Sequence, residues 1–236
     1  MSDVLVVSGL GRDFGRVRAV DTISFTVAPG EFVGLVGPNG AGKSTTIKLL
    51  TAQLLPTRGS VTVGGVDVVQ DPNGARRQLG YVPEDPKLYE YLSAREMVSF
   101  AAELRGASTE NVEEVLELAG LGADADRLIR EYSQGMRRKT ALACALVSKP
   151  PLLVLDEALN GLDPPSAARV VAALAEACRG GQSVLLSTHV LDTLEKVADR
   201  IVMVAAGRVL ADVGVDDLDQ VRDLFAHAPK RSPVTD

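Results

Sequence analysis

The sequence predicts an α/β protein with a largely parallel sheet. Two short apolar runs, LLVLDE (residues 152–157) and SVLLSTH (183–189), have the length and branching typical of buried strands. A helical pattern over residues 164–179 separates them. Asp163 and Pro164 form an N-cap and first-turn pair for this helix, and Gly180-Gly181 ends it. Strands that alternate with helices in this way favour a parallel sheet.

The first part of the chain and its last third supply further predicted strands. Residues 3–36 are β-rich, and TISFTVAPGEFVGLV (22–36) predicts two strands around a Pro-Gly turn. A helix is expected from Lys43 to Leu54, stopping before Pro56. GSVTVGGVDV (59–68) predicts another strand pair, and RIVMVAAGRVLADV (200–213) predicts a closing hairpin.

The middle of the chain contains only predicted helices. SAREMVSFAAELRG (93–106) begins with a capping box, Ser93 with Glu96. STENVEEVLELAGL (108–121) and a helix near 134–147 follow. We therefore expect one domain over residues 1–228, with a core formed by 1–85 and 141–228 and a helical subdomain at 86–140. A loose, polar tail is expected over 229–236.

Composition excludes some classes of partner. The 236 residues suffice for one large α/β domain or two small ones, and the net charge of −6 argues against binding to nucleic acid or anionic lipid through overall charge. Cys144 and Cys178 lack metal-ligand spacing and fit small core positions in a reducing cytosol. The N-terminus has no basic targeting segment, and no apolar run reaches about 18 residues, so the chain is expected to be soluble in itself.

A glycine-rich motif predicts a nucleotide site. GPNGAGKST fits G-x-x-x-x-G-K-[ST] and lies between a predicted strand and a predicted helix. Its glycines let backbone amides face phosphate oxygens, Lys43 can reach the β- and γ-phosphates, and Ser44 can bind Mg²⁺. A GTPase, a kinase or a motor ATPase could use such a loop, although no Asn-Lys-x-Asp guanine-binding motif is present. The predicted contacts are Gly37, Pro38, Asn39, Gly40, Ala41, Gly42, Lys43, Ser44 and Thr45.

Polar residues at two strand ends complete the predicted site. Asp156 ends the run LLVLDE and can hold Mg²⁺ beside Ser44, because ligands bind at the carboxyl ends of parallel strands. Glu157 can then orient a water towards the γ-phosphate. His189, at the end of the next buried strand, shares this edge and is either a γ-phosphate contact or a structural residue.

A cluster of basic residues starts the helix near 134–147. Ser133 is a good N-cap, yet Arg137, Arg138 and Lys139 follow in or just past the first turn. Cations are unfavourable there by about 0.3–1 kcal/mol each, since the helix dipole is already positive at that end. Either this face of the helix is solvated and lies near carboxylates, or an anion from elsewhere binds to it.

Taken together, these motifs resemble the ATP-binding subunits of ABC transporters over about residues 3–215. The motifs are GPNGAGKST, YSQGMRRK, LLVLDEALNGLDP and LLSTH, in that order. The resemblance implies a P-loop NTPase core with an antiparallel β subdomain and an inserted α-helical subdomain. It also implies a head-to-tail dimer with two ATP molecules at the interface. The anion would then be the γ-phosphate of the partner's ATP, met by Ser133, Gln134 and Gly135.

Other positions take their roles from the same resemblance. Phe14 falls where the family stacks an aromatic ring on adenine, and residues 160–163 match the loop that crosses the dimer interface. Three positions depart from the family pattern: Met136 replaces Gln, Ala158 replaces Pro, and Glu84 replaces the metal-contacting Gln. The sequence YVPE, together with the GM of the signature, resembles the ABC-2 type exporter branch.

The predicted function is an ATP-binding and ATP-hydrolysing exporter subunit that uses Mg²⁺, held by Ser44, Glu84 and Asp156, with Glu157 and His189 in catalysis. Its expected partners are a second ATPase subunit, in a homodimer, and polytopic permease subunits, with no nucleic acid. The expected location is cytoplasmic, peripheral on the inner face of the cell membrane. The alternatives are a soluble ABC ATPase without transport and an ATP-dependent regulator without turnover.

Overall fold

One mixed sheet runs through the part of the chain that the structure, a computed structural model, describes, namely residues 2–227. The predicted tail at 229–236 lies outside these residues. The strands are β1 (Leu5–Phe14), β2 (Val17–Val27), β3 (Phe32–Val36), β4 (Arg58–Val63), β5 (Val66–Asp67), β6 (Leu79–Val82), β7 (Leu152–Asp156), β8 (Ser183–Ser187), β9 (Arg200–Ala205) and β10 (Arg208–Gly214). The helices are α1 (Lys43–Leu50), α2 (Pro72–Arg77), α3 (Ala94–Arg105), α4 (Asn111–Leu118), α5 (Gln134–Leu146), α6 (Pro164–Arg179), α7 (Leu191–Leu194) and α8 (Leu218–His227).

The sheet has a parallel half and an antiparallel half. Its order is β5-β4-β1-β2-β10-β9-β3-β8-β7-β6. Strands β9, β3, β8, β7 and β6 are mutually parallel, whereas β5, β4, β1 and β2 pair antiparallel. Strand β10 joins the halves, parallel to β2 and antiparallel to β9. The predicted fold class, a P-loop core with an antiparallel β part and a helical region, is confirmed.

The central strands are buried on both faces. Every residue of β3, β7 and β8 is buried. Phe32, Leu153 and Val184 face the hydrophobic cluster that contains α3 to α6. Val33 and Leu152 face the opposite cluster, which contains α1 and the β1–β2 hairpin. Helices therefore cover the sheet on both sides, as unbroken apolar strands require.

Capping residues start three helices where the sequence places them, at Ser93, Ser133 and Asp163. The Ser93 side chain accepts from the amide of Glu96, whose carboxylate accepts from the amide of Ser93, so the capping box is present. Asp163 accepts from the amide of Ser166 at 2.9 Å and starts α6. The expected end of α1 at Leu54 is wrong. The helix ends at Leu50, because Ala52 adopts a left-handed conformation, φ +55°.

Helix α2 was not predicted, although its signal is present. Asp71 accepts from the amide of Gly74 at 2.8 Å, and Pro72 occupies the first helical position. This is the same N-cap and proline pair that starts α6. The short length of α2, six residues, hides the helical period on which the sequence argument depends.

Helices α3, α4 and α5 pack on one another, and α5 also packs on β6. Helix α5 spans Gln134–Leu146, so the subdomain boundary predicted at residue 140 lies inside a continuous helix. The division at 86–140 stays a prediction.

Cys144 and Cys178 are half-buried and unpaired in α5 and α6. Burial raises the pKa of these thiols to about 12 and about 11, which keeps them protonated and inert. Among the helices of residues 2–227, none has the length and apolarity to cross a bilayer.

Candidate functional site

The predicted P-loop, metal-binding and catalytic residues meet at one edge of the sheet. Strands β3, β6, β7 and β8 are parallel neighbours, so their carboxyl ends share this edge. The P-loop (residues 37–45) follows β3, the Glu84 loop follows β6, Glu157 follows β7 and His189 follows β8. They enclose a cavity of about 330 Å³, lined by Asn39, Gly40, Ala41, Gly42, Lys43, Ser44, Thr45, Glu84, Glu157, Asn160 and His189.

The P-loop conformation depends on its glycines. Gly40 and Gly42 have φ values of +79° and +107°, which side chains rarely allow. A Cβ atom at Gly37 would lie 2.0 Å from the main-chain oxygen of Val204. Within residues 2–227, the amides of Gly42, Lys43, Ser44 and Thr45 have no protein acceptor. Free amides at a helix start suit an anion such as phosphate, and the loop therefore fits a nucleotide.

Lys43 is buried and held above the loop. Its Nζ atom donates to the main-chain oxygen of Gly37 at 2.7 Å and lies 3.6 Å from Oε1 of Glu157. The ammonium group is thus placed between the P-loop and the carboxylate after β7. A phosphate bound in the loop would lie within reach of this charge.

Asp156 and Ser44 form a small cluster of oxygen ligands. The Ser44 hydroxyl lies 3.4 Å from Oδ1 of Asp156, and the Ser187 hydroxyl donates to the same oxygen at 2.8 Å. Burial raises the pKa of Asp156, while these hydrogen bonds act to lower it. In residues 2–227 no group of three His, Cys, Asp or Glu side chains is placed to bind a metal. A metal here would fit the Mg²⁺ pattern, in which one or two protein ligands act together with substrate phosphates.

Ser187 is a site residue that was not predicted from the sequence. It lies in the quoted stretch SVLLSTH, where a polar residue ends an apolar strand, as Asp156 does in β7. Residues Asp156 and Ser187 are paired across the parallel strands β7 and β8. The hydroxyl of Ser187 also accepts from the amide of Glu157 at 3.0 Å.

Glu157 occupies a strained backbone position, with φ +49°. Asn160 donates to its Oε2 atom at 2.8 Å, and Nδ1 of His189 lies 3.0 Å from the same oxygen. These contacts orient the carboxylate towards the cavity that it lines. The sequence placed Asn160 only in a loop crossing to a partner, so this contact within the chain is an additional finding.

Phe14 does not line the cavity. It ends β1, is 44% exposed, and packs against the Arg12 guanidinium at 4.8 Å, so it is not a core residue. The β1–β2 hairpin reaches the P-loop, since a Cβ atom at Gly42 would lie 2.8 Å from the oxygen of Ala19. Adenine stacking on Phe14 stays a prediction.

The start of α5 contributes no residue to the lining of the cavity in its own chain. Ser133 caps the helix by accepting from the amide of Met136, and both Ser133 and Gln134 are exposed. Gly135 is half-buried. None of the residues 133–136 lines the cavity that holds the P-loop.

The three basic residues of α5 do not all have carboxylate partners, so they fit the two explanations differently. Arg137 pairs with Glu90 at 2.8 Å, as nearby carboxylates would require. Arg138 donates to the main-chain oxygen of Glu84 and has no carboxylate partner within residues 2–227. Lys139 forms no ion pair with any residue in that range. The pKa of Asp163 is lowered mainly by its hydrogen bond with Ser166, and the charge of Lys139 adds a smaller effect.

The fold and the site define a P-loop nucleotide-binding protein with carboxylates at the adjoining strand end. The family described as "ABC transporter" matches residues 20–160. The chain belongs to this family, as the four motifs predicted.

Similar proteins agree on the role within that family. The chain is 36% identical over 226 residues to the ABC-type transporter ATP-binding protein EcsA of Bacillus subtilis (strain 168), covering 94% of this chain and 90% of EcsA. It is 38% identical over 217 residues to the Nod factor export ATP-binding protein I of Rhizobium sp. (strain N33), covering 90% and 71%. A solved ATP-binding subunit of an ABC transporter superposes with a TM-score of 0.86 at 34% identity, covering 95% of both chains. The prediction of an ABC transporter ATP-binding subunit is confirmed.

Proposed function

We propose that this subunit hydrolyses ATP with Mg²⁺ as a head-to-tail dimer and drives export through separate membrane subunits. The observation that carries the proposal is that Glu157 and His189 line the same cavity as the P-loop with its Lys43. A nucleotide-binding regulator without turnover would not need Glu157 to be held by two side chains at a strained backbone position.

The residues around the cavity divide the work of hydrolysis. Lys43 and the free amides of the P-loop bind phosphate oxygens. Glu157 orients the attacking water and takes up its proton as general base. His189 and Asn160 hold the Glu157 carboxylate, and His189 would also contact the γ-phosphate. Because Lys43 lies 3.6 Å from Glu157, phosphate binding would draw the ammonium group away from that carboxylate and leave it free for water.

Ser44, Asp156 and Glu84 would hold Mg²⁺. The Ser44 hydroxyl and Asp156 are adjacent, and Glu84 lines the same cavity as Ser44. The bound ion would supply positive charge to the transferring phosphoryl group. Ser187 keeps the Asp156 carboxylate oriented towards Ser44.

The dimer is supported by the position of residues 133–135. They are exposed or half-buried at a helix N-terminus, outside the cavity of their own chain. Such a position suits contact with the γ-phosphate held by a second chain, where the helix dipole favours an anion. The basic residues next to it would strengthen the attraction.

Export is the direction favoured by the similarity to the Nod factor export protein, together with Glu84 and Met136 in the motifs. A soluble ABC ATPase without transport is the alternative.

The test is affinity purification of the tagged full chain from detergent-solubilised membranes of its own host. We expect a polytopic membrane protein to be recovered at a fixed ratio to the tagged chain. Recovery of ribosomes or of the chain alone would contradict the proposal.

A first prediction concerns Glu84. Glu84→Ala should raise the Mg²⁺ concentration for half-maximal ATPase rate by about tenfold or more, because a polar contact to a charged group contributes on the order of 1.5–3 kcal/mol. Glu84→Gln, which restores the common family residue, should keep substantial activity. Titration of the rate with Mg²⁺ at saturating ATP measures the effect. An unchanged Mg²⁺ dependence in the alanine variant would show that Glu84 does not contact the metal.

A second prediction concerns Phe14. Phe14→Ala should weaken ATP binding by about 5- to 100-fold, since stacking of a base on an aromatic ring contributes about 1–3 kcal/mol. Phe14→Tyr keeps the ring and should bind ATP normally. Equilibrium binding of a fluorescent ATP analogue to both variants separates the two cases. Equal affinity for ATP in the alanine variant and the wild type would remove Phe14 from the site.

A further inference from the structure

Arg138 joins the start of α5 to the loop after β6. Its Nε and Nη2 atoms both donate to the main-chain oxygen of Glu84, at 3.4 and 3.3 Å. The remaining nitrogen, Nη1, is buried and has no acceptor within residues 2–227. Nη1 is therefore covered by protein, whereas Arg138 as a whole is half-buried. The adjacent Arg137 instead reaches the exposed carboxylate of Glu90.

The loop that follows Glu157 also packs against Arg138. Gly161 has φ +71°, and a Cβ atom there would lie 2.8 Å from Nη1 of Arg138. A Cβ atom at Gly135 would lie 3.5 Å from the Leu162 side chain, so the first turn of α5 rests on the same loop. Glycine at position 161 leaves the space that the guanidinium occupies.

Both loops that contact Arg138 supply residues to the nucleotide cavity. Glu84 lines the cavity directly, and Asn160, next to Gly161, holds Glu157 at 2.8 Å. Arg138 does not line this cavity and therefore touches no reacting atom. Arg138 thus connects the residues around the nucleotide cavity with the start of α5 at residues 133–135.

We infer that Arg138 is a positioning residue that fixes the start of α5 relative to the nucleotide cavity of its own chain. The inference rests on the proposed function, in which residues 133–135 meet the nucleotide of the second chain. A movement of either cavity loop would displace Arg138. Arg138 would in turn displace the start of α5, which completes the nucleotide site of the second chain. Nη1 is a donor ready for an acceptor when one of these loops moves. The occupancy of one site would in this way set the geometry of the other.

The test compares ATP affinity with turnover in the purified full chain. Arg138→Met keeps the apolar stem and removes every donor. Its kcat should fall about tenfold or more, whereas ATP affinity should stay within about twofold because the P-loop is intact. Arg138→Lys keeps the charge and one donor group. It should recover part of the turnover but remain about threefold below wild type.

Arg127→Met is the matched control. Arg127 is an exposed arginine between α4 and α5 that pairs with Asp124 and lies outside the cavity. Its loss should leave kcat and ATP affinity unchanged, since exposed ion pairs contribute little. Thermal unfolding of each variant shows whether the fold is kept. If Arg138→Met does not fold, Arg138→Lys is compared with wild type alone.

The outcomes separate this inference from the proposed function. A fall in kcat at unchanged ATP affinity, specific to position 138, supports the positioning role. Turnover within about twofold of wild type in Arg138→Met, or in Arg138→Lys where only that variant folds, overturns it. An equal fall in Arg127→Met, or a parallel loss of ATP affinity, overturns it as well. Absence of ATPase activity in the wild-type chain together with its membrane subunits would instead overturn the proposed function.

Discussion

Replacement of Glu157 by Gln is expected to leave ATP bound and to stop its turnover. The amide keeps the length of the side chain but is too weak a base to take a proton from water. Loss of a general base lowers kcat by about 10²- to 10⁴-fold. The P-loop amides and Ser44 are unchanged, so nucleotide affinity should be kept. Phosphate release under single-turnover conditions, together with filter binding of labelled ATP, measures both quantities.

The same variant should accumulate as an ATP-bound dimer, because hydrolysis no longer opens the interface. Size-exclusion chromatography with and without ATP detects this species. Glu114→Gln is a suitable control, since Glu114 is an exposed carboxylate that pairs with Lys149 outside the nucleotide cavity. Its turnover should match wild type. If Glu157→Gln also turns over within a few-fold of wild type, another group orients the water.

Two chains that are each inactive should restore activity when they are mixed. Lys43→Ala disables the P-loop of its own chain. Gly135→Asp places a carboxylate where the partner's γ-phosphate would lie, and like charges about 4 Å apart repel by roughly 1 kcal/mol in water and by several in a drier interface. In a mixed dimer both defects fall on one composite site. The other site then combines an intact P-loop with intact residues 133–135, so about one working site per mixed dimer is expected.

The structure allows a clean control for this mixing experiment. A Cβ atom at Gly135 would lie 3.5 Å from the Leu162 side chain and 3.8 Å from the Ser133 hydroxyl, both ordinary contact distances. A side chain at Gly135 should therefore be compatible with the fold, and Gly135→Asn, which has the size of Asp without its charge, separates the charge of Asp from its bulk. If the two sites hydrolyse only together, retention of one ATP per mixed dimer replaces turnover as the measurement. Mixed dimers with neither rescue nor one-site retention would show that α5 does not serve the partner.

Local signals in the sequence predicted much of the fold and of the site. Hydrophobic runs located β7 and β8, and the cap residues Ser93, Ser133 and Asp163 set three helix starts within the chain. The P-loop motif placed Lys43 and Ser44 because its backbone conformation depends on glycines at fixed spacing. These features are determined by neighbours a few residues apart.

Long-range packing produces two contacts that could not be predicted from the sequence. Ser187 contacts Asp156 only because β7 and β8 are adjacent and in register. Arg137 meets Glu90, 47 residues away, through the packing of the helical region. No periodicity or spacing in one sequence predicts which distant loops lie side by side. The end of α1 was missed for a local reason, since Ala52 adopts a left-handed conformation that alanine rarely favours.

The backbone at Glu157 has a consequence for how such a chain changes over evolutionary time. A left-handed conformation at a residue other than glycine costs about 1–3 kcal/mol, and here the residue also buries a carboxylate. Glycine would relieve the backbone strain at this position and abolish the chemistry. Selection for stability and selection for hydrolysis therefore act against each other at position 157. A lineage released from the need to hydrolyse ATP would be expected to lose this glutamate early, while its P-loop persisted.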